Sequence, residues 1–143
     1  MKFEDFIKSG QVKKAARDIQ LATALVDTAE QDLKFLEPIA LNSISSRKRV
    51  SNYYDILRSL LEADASLNGF KVYSHEAFTY YLKENHEENS STKFERLRKI
   101  RNSINYYGKN ISIEEAEDAV REIKNLIEQI KSRILKKIEN ETQ

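Results

Sequence analysis

The segment after Ser112 constrains the fold of this chain more than any other. Ala116, Val120, Ile123, Ile127, Ile130, Ile134 and Ile138 recur there every three or four residues. That spacing gathers them on one stripe of an α-helix, whereas a strand would send successive side chains to opposite faces. So long an apolar stripe must be buried against other helices, which sets the fold class as all-α. Ser112 and Glu115 have the spacing of a capping box, so this helix starts near Ile113. Cations cluster toward its C-terminal end, where the macrodipole favours them.

Earlier segments carry the same period. Val12, Ala15, Ile19, Ala22, Val26, Ala29, Leu33 and Leu36 predict one long helix from Gln11 to Leu36, stopped before Pro38. After a polar connection at Asn42–Ser46, a second helix carries Val50, Tyr53, Leu57, Leu60, Asp64 and Leu67 and closes at Asn68-Gly69, a left-handed cap. Asp64 is its one polar member. Ser74 is placed to cap a shorter helix running to about Lys83, and the polar segment NHEENSS after it, with His86, reads as an exposed, solvated loop. Thr92 and Glu95 repeat the capping-box spacing and predict a helix from Lys93. The expectation is a single domain over residues 1–143, an antiparallel up-and-down bundle of four main helices plus a short one.

Composition narrows the function. Lys and Arg number 24 against 23 Asp and Glu, so no global field draws the chain to nucleic acid or an anionic membrane, and any polyanion site is local. Cysteine is absent and there are two separated histidines, His75 and His86, which gives no metal motif and no thiol chemistry; no cofactor is expected. No apolar run approaches the roughly 20 residues of a membrane span, and the N-terminus MKFEDFIKSG lacks the apolar core of a leader. A cytoplasmic protein without membrane contact is expected.

The stretch KIRNSINYYGKN, Lys99–Asn110, holds the densest cluster of reactive groups. Projected on a helix, Phe94, Leu97, Ile100, Ile104 and Tyr107 form the core stripe, and Arg101 falls on its edge. Asn102 and Tyr106, four residues apart, share a surface roughly 160° from that stripe. An amide and a phenol opposite the core, with arginine beside them and Gly108 just beyond, suit contact with a polyanion or a second copy of the chain. Arg98 and Tyr107 adjoin this cluster as ligand-binding candidates. His75, in YSHEA, is expected in the first turn of the third helix. Arg47, Lys48 and Arg49 oppose the dipole at a helix start and are a second candidate for phosphate contact.

The segment LRKIRNSINYYGKNIS, following a helix that opens after GFKVYSHEAF, resembles the HEPN domains (higher eukaryotes and prokaryotes nucleotide-binding), particularly the small stand-alone prokaryotic type. The resemblance covers nearly the whole chain in helix order, and its specific part is Arg101-Asn102 with Tyr106. It implies a helical bundle that dimerises and binds nucleotide, RNA or a protein partner such as a minimal nucleotidyltransferase. Many members are metal-independent ribonucleases, some of them toxins of toxin–antitoxin pairs. In those, an arginine followed by a polar residue stabilises phosphate charge, and a histidine a few residues on assists attack by the ribose hydroxyl. Arg101 and Asn102 match the first two. Tyr106 or Tyr107 stands where the histidine would fall, and a phenol with an ordinary pKa near 10 is a poor base at neutral pH. The resemblance therefore implies a binding module, with His75 as the imidazole able to approach from the third helix if the chain cleaves RNA.

Overall fold

The computed structural model describes residues 1–85 and 88–142. His86, expected in a solvated loop, lies outside them. The elements in order are α1 (Phe3–Lys8), β1 (Val12–Lys14), α2 (Ile19–Leu36), α3 (Ser46–Leu67), β2 (Phe70–Val72), α4 (His75–Asn85), α5 (Glu88–Tyr107) and α6 (Ile113–Thr142). This is an all-α bundle built on four long helices, with α4 as the short one, a further six-residue α1, and a two-stranded ribbon.

α3 is the central helix, with fifteen of its twenty-two residues buried. Ser51 Oγ bonds Asn105 Oδ1 at 2.8 Å and Asp55 pairs with Arg101, so α5 runs antiparallel to α3. Lys124 sits over the Tyr53 ring and Lys137 reaches Asp64, so α6 runs alongside α3 in the same direction. The stripe on α6 is buried from Ala116 to Ile134, with Ile138 partly covered. At its start the Ser112 hydroxyl accepts from the Glu115 amide at 3.1 Å, as a helix cap does.

Asp64 is completely buried because its charge is answered there. Lys137 Nζ lies 2.7 Å from one carboxylate oxygen, and the Tyr81 hydroxyl donates to the other at 2.6 Å. A buried carboxylate with such partners costs little, whereas removing one partner leaves an uncompensated charge. Asn68 donates to the same Tyr81 hydroxyl and ends α3, after which Gly69 turns the chain at φ 85°.

Four expectations are corrected. The periodic run from Gln11 to Leu36 is not one helix. Gly10, at φ 82°, turns the chain out of α1, Val12–Lys14 pairs antiparallel with Phe70–Val72, and a helix begins only at Ile19, where Asp18 accepts from the Leu21 amide at 2.9 Å. Val12 satisfies either period, and the partner strand nearly sixty residues away decides between them. The segment after α4 is not a loop throughout: α4 reaches Asn85, α5 already starts at Glu88, and Ser90 and Ser91 are buried. Thr92 consequently lies inside α5, its hydroxyl bonded back to the Glu88 carbonyl, and Glu95 turns to Thr79 and Arg98 instead of closing a capping box. Finally, Tyr107 is not core. It is the last residue of α5, past the end of the helix contact, and is 84% exposed. No helix among the described residues is long and apolar enough to cross a membrane.

Candidate functional site

The consecutive tyrosines of α3 point about 100° apart and serve different neighbours. Tyr53 faces α6. Tyr54 faces α5 and the start of α4, stacked on Phe94 with ring centroids 5.7 Å apart. Its hydroxyl lies 3.4 Å from His75 Nδ1, a long hydrogen bond, and the two rings are 5.9 Å apart. His75 is the first residue of α4, which follows β2 and packs against α5.

Arg101 enters the cluster from α5. Its guanidinium carbon lies 5.4 Å from the Tyr54 ring centre and 5.8 Å from that of Tyr106, so two aromatic faces hold the cation. The side chain is only 13% exposed. One terminal nitrogen is 3.6 Å from Asp55 Oδ1, the other 3.5 Å from the Tyr106 hydroxyl, and Nε is buried without an acceptor. Long contacts to exposed partners leave the terminal nitrogens of this cation with capacity for an anion. Arg98, one turn back, is bonded to Glu95, and Arg58, four residues after Tyr54, is paired with Glu62 at 2.7 Å.

These charges act on the imidazole. Burial first, then Arg58, Arg101 and Arg98, lower the His75 pKa to about 4, so the ring is neutral at neutral pH. Burial raises the Tyr54 hydroxyl above the ordinary phenol range despite the opposing pull of Arg101, keeping it protonated. Burial is the largest single influence on Arg98 and Glu95 and opposes charge on both, but their mutual hydrogen bond, the Thr79 hydroxyl on Glu95 and the nearby charges together outweigh it, holding Arg98 above and Glu95 below the ordinary value. The result is a neutral proton acceptor beside three guanidinium groups, a surround suited to an oxyanion.

Comparison of the chain with models of known protein families, with curated proteins and with solved structures finds no match. The site is therefore read from its own chemistry.

Of the residues expected here, the structure brings together Arg101, Tyr106, Arg98 and His75. Asn102 is half-buried, not solvent-facing like Tyr106, and its side chain makes no hydrogen bond among the described residues. Tyr107 is exposed to solvent and joins no ring contact among the described residues. The basic triplet is divided: Arg47 and Lys48 are exposed, while Arg49 is buried, donates to the Leu36 carbonyl and lies over Tyr53. Arg49 thus caps the C-terminus of α2, where the dipole welcomes a cation, and is no candidate for phosphate. Tyr54, Asp55 and Arg58 were not singled out from sequence. Their only signal is the i, i+4 spacing of Tyr54 and Arg58 on a helix otherwise rich in apolar residues.

Proposed function

We propose that this chain is a HEPN-like helical module that binds a phosphate of RNA or nucleotide at Arg101, with Arg58 and Arg98 supporting the charge, and acts as a homodimer. The observation that carries this reading is the guanidinium of Arg101 held between Tyr54 and Tyr106 with only long contacts, to Asp55 and to the Tyr106 hydroxyl. A cation so presented is prepaid in conformational entropy and gains charge-assisted hydrogen bonds when phosphate arrives. Tyr106, 69% exposed, adds a face on which a base can stack. Exposed Tyr106 and Tyr107 together at the end of α5 support dimerisation through this face, where two-fold symmetry would bring two Arg101 sites into one cleft. A nucleotidyltransferase is the protein partner this reading suggests.

Arg101→Ala is expected to abolish RNA and nucleotide binding, measured by titration calorimetry, while leaving the helical circular dichroism unchanged. Retained affinity in that variant overturns the reading. Light scattering at tens of micromolar checks the dimer, and a monomer alone would remove that part.

A second reading, a metal-independent ribonuclease, is favoured by one observation: a neutral His75 beside Arg101. Neutral imidazole accepts the ribose hydroxyl proton while the guanidinium stabilises charge on phosphorus. An imidazole held near 4 is nevertheless a weak base at neutral pH, since the best catalytic pKa lies near the working pH. Binding is therefore the preferred function. Cleavage of single-stranded RNA in EDTA by the unmodified chain, lost in both Arg101→Ala and His75→Gln, would establish the enzyme instead.

A further inference from the structure

A hollow of about 210 Å3 lies where α5 ends and α6 begins. Gly108, at φ 63°, ends α5, and the Lys109 amide bonds back to the Ser103 carbonyl at 3.1 Å, so the loop 109–111 folds against the last turns of the helix. Arg96, Ile100 and Ser103 stand at i, i+4 and i+7 on the face of α5 that meets this loop and the first turn of α6. Arg101 is turned about 100° from Ile100 and does not line the hollow.

The lining divides by chemistry. Ile104 is buried and Ile100 and Ile111 are partly so, all three packed on the core, and they form an apolar floor. Lys99 and Lys109 are exposed at the rim, and neither ammonium makes an ion pair or hydrogen bond among the described residues. The charge of Lys99 is felt by Glu95, but that carboxylate is bonded to Arg98 and Thr79. Arg96 is paired with Glu122 of α6. Glu115, from α6, brings one carboxylate that makes no ion pair among the described residues. Two such ammonium groups against one such carboxylate leave a single positive charge beside apolar surface.

We infer that this hollow binds a small monocarboxylate with an apolar body. At about 30 Å3 per water, its volume holds about seven waters, the size of a carboxylate with five or six carbons. The carboxylate accepts from Lys99, from Lys109 and from the Asn110 side-chain amide, which makes no hydrogen bond among the described residues. The hydrocarbon covers the three isoleucines and removes their surface from water. Glu115 opposes a second negative charge, so a dicarboxylate or a phosphate dianion fits poorly. The inference is independent of the reading of Arg101, whose site takes a phosphate and has no apolar floor of this kind.

The test titrates the chain, carrying isotope-labelled isoleucine methyl groups, with sodium hexanoate and follows the methyl shifts by NMR. Saturable shifts largest at Ile100, Ile104 and Ile111 are expected, with a dissociation constant on the order of 1 mM for so small a ligand. Affinity should rise by about two- to fourfold per methylene from butyrate to hexanoate. It should fall by about tenfold when the neutral hexanamide or the dianion adipate replaces hexanoate. Lys99→Gln/Lys109→Gln should weaken hexanoate by about tenfold and leave hexanamide and the helical circular dichroism unchanged. Shifts that do not saturate, equal affinity for hexanoate and hexanamide, or an unaffected double variant overturns the site. Competitive displacement of hexanoate by AMP would put both ligands at one place and overturns it as well. Loss of this site by any of the first three results leaves the phosphate reading of Arg101 to its own test.

Discussion

Tyr53 and Tyr54 are neighbours on α3, both fully buried, each beneath an arginine, and the two arrangements serve opposite ends. On the Tyr53 side, Arg49 is 6% exposed, donates to the Leu36 carbonyl and to the Tyr53 hydroxyl, and ties α2 to α3. On the Tyr54 side, Arg101 has a half-exposed carboxylate at 3.6 Å and a hydroxyl at 3.5 Å, neither a strong partner. The Nε of each arginine is buried without a partner, so the difference lies in the terminal nitrogens: bonded within the fold they make a structural clamp, and held only by long contacts they make a candidate binding site.

The largest expected effect tests the clamp. Arg49→Ala should destabilise the bundle by about 2–4 kcal/mol, because a buried carbonyl and a buried hydroxyl lose their partner and the space over Tyr53 is emptied. Arg101→Ala should cost under about 1 kcal/mol, in line with a partly exposed pair. Urea midpoints check both, and equal losses would erase the contrast between the two sides. Ser112→Ala comes next, at about 1 kcal/mol, for a cap whose hydroxyl accepts an amide. Thr92→Ala should be close to neutral, since Thr92 lies inside α5 and its hydroxyl only bonds back to Glu88. A midpoint shifted as far by the threonine change as by the serine change would mean α5 begins later than Glu88.

The smallest effect concerns pH. The His75 pKa falls from an ordinary 6.5 to about 4 in the fold, so the unfolded chain binds more protons between those values. Stability attributable to His75 is intact above about pH 6.5 and declines as pH falls toward about 4. Because the ring is only half-buried, the decline is modest and is best seen as the difference between the parent chain and His75→Gln. A difference that is flat over this window would show that burial and the arginines together do not depress the imidazole. Bound phosphate should raise the His75 pKa, by placing negative charge among three guanidinium groups, and imidazole resonances in a proton NMR titration with and without ligand measure that change.

Sequence periodicity accounts for α2 from Ile19, α3, and α6 with its Ser112 cap, because in each the spacing and the terminating signal agree. It fails where two periods fit the same residues, as around Val12, and where a capping pattern lies inside a longer helix, as at Thr92. At the site, Arg101 and Tyr106 are legible because both stand in one short polar cluster near the end of a single helix. His75, Tyr54 and Arg58 come from two other helices, and spacing along the chain carries no information about which of them meet.

What the sequence determined by itself is the helical class, the central apolar stripes and the local character of any anion site, since these follow from side-chain period and net charge. Only the tertiary structure decided that Arg49 is consumed by a carbonyl of α2 while Arg101 is left with weak partners, and that His75 is neutral beside it. Those outcomes depend on burial and on charges brought within a few ångströms by different helices. The energy of a charged or polar group is set by what surrounds it in space, and linear order does not record that.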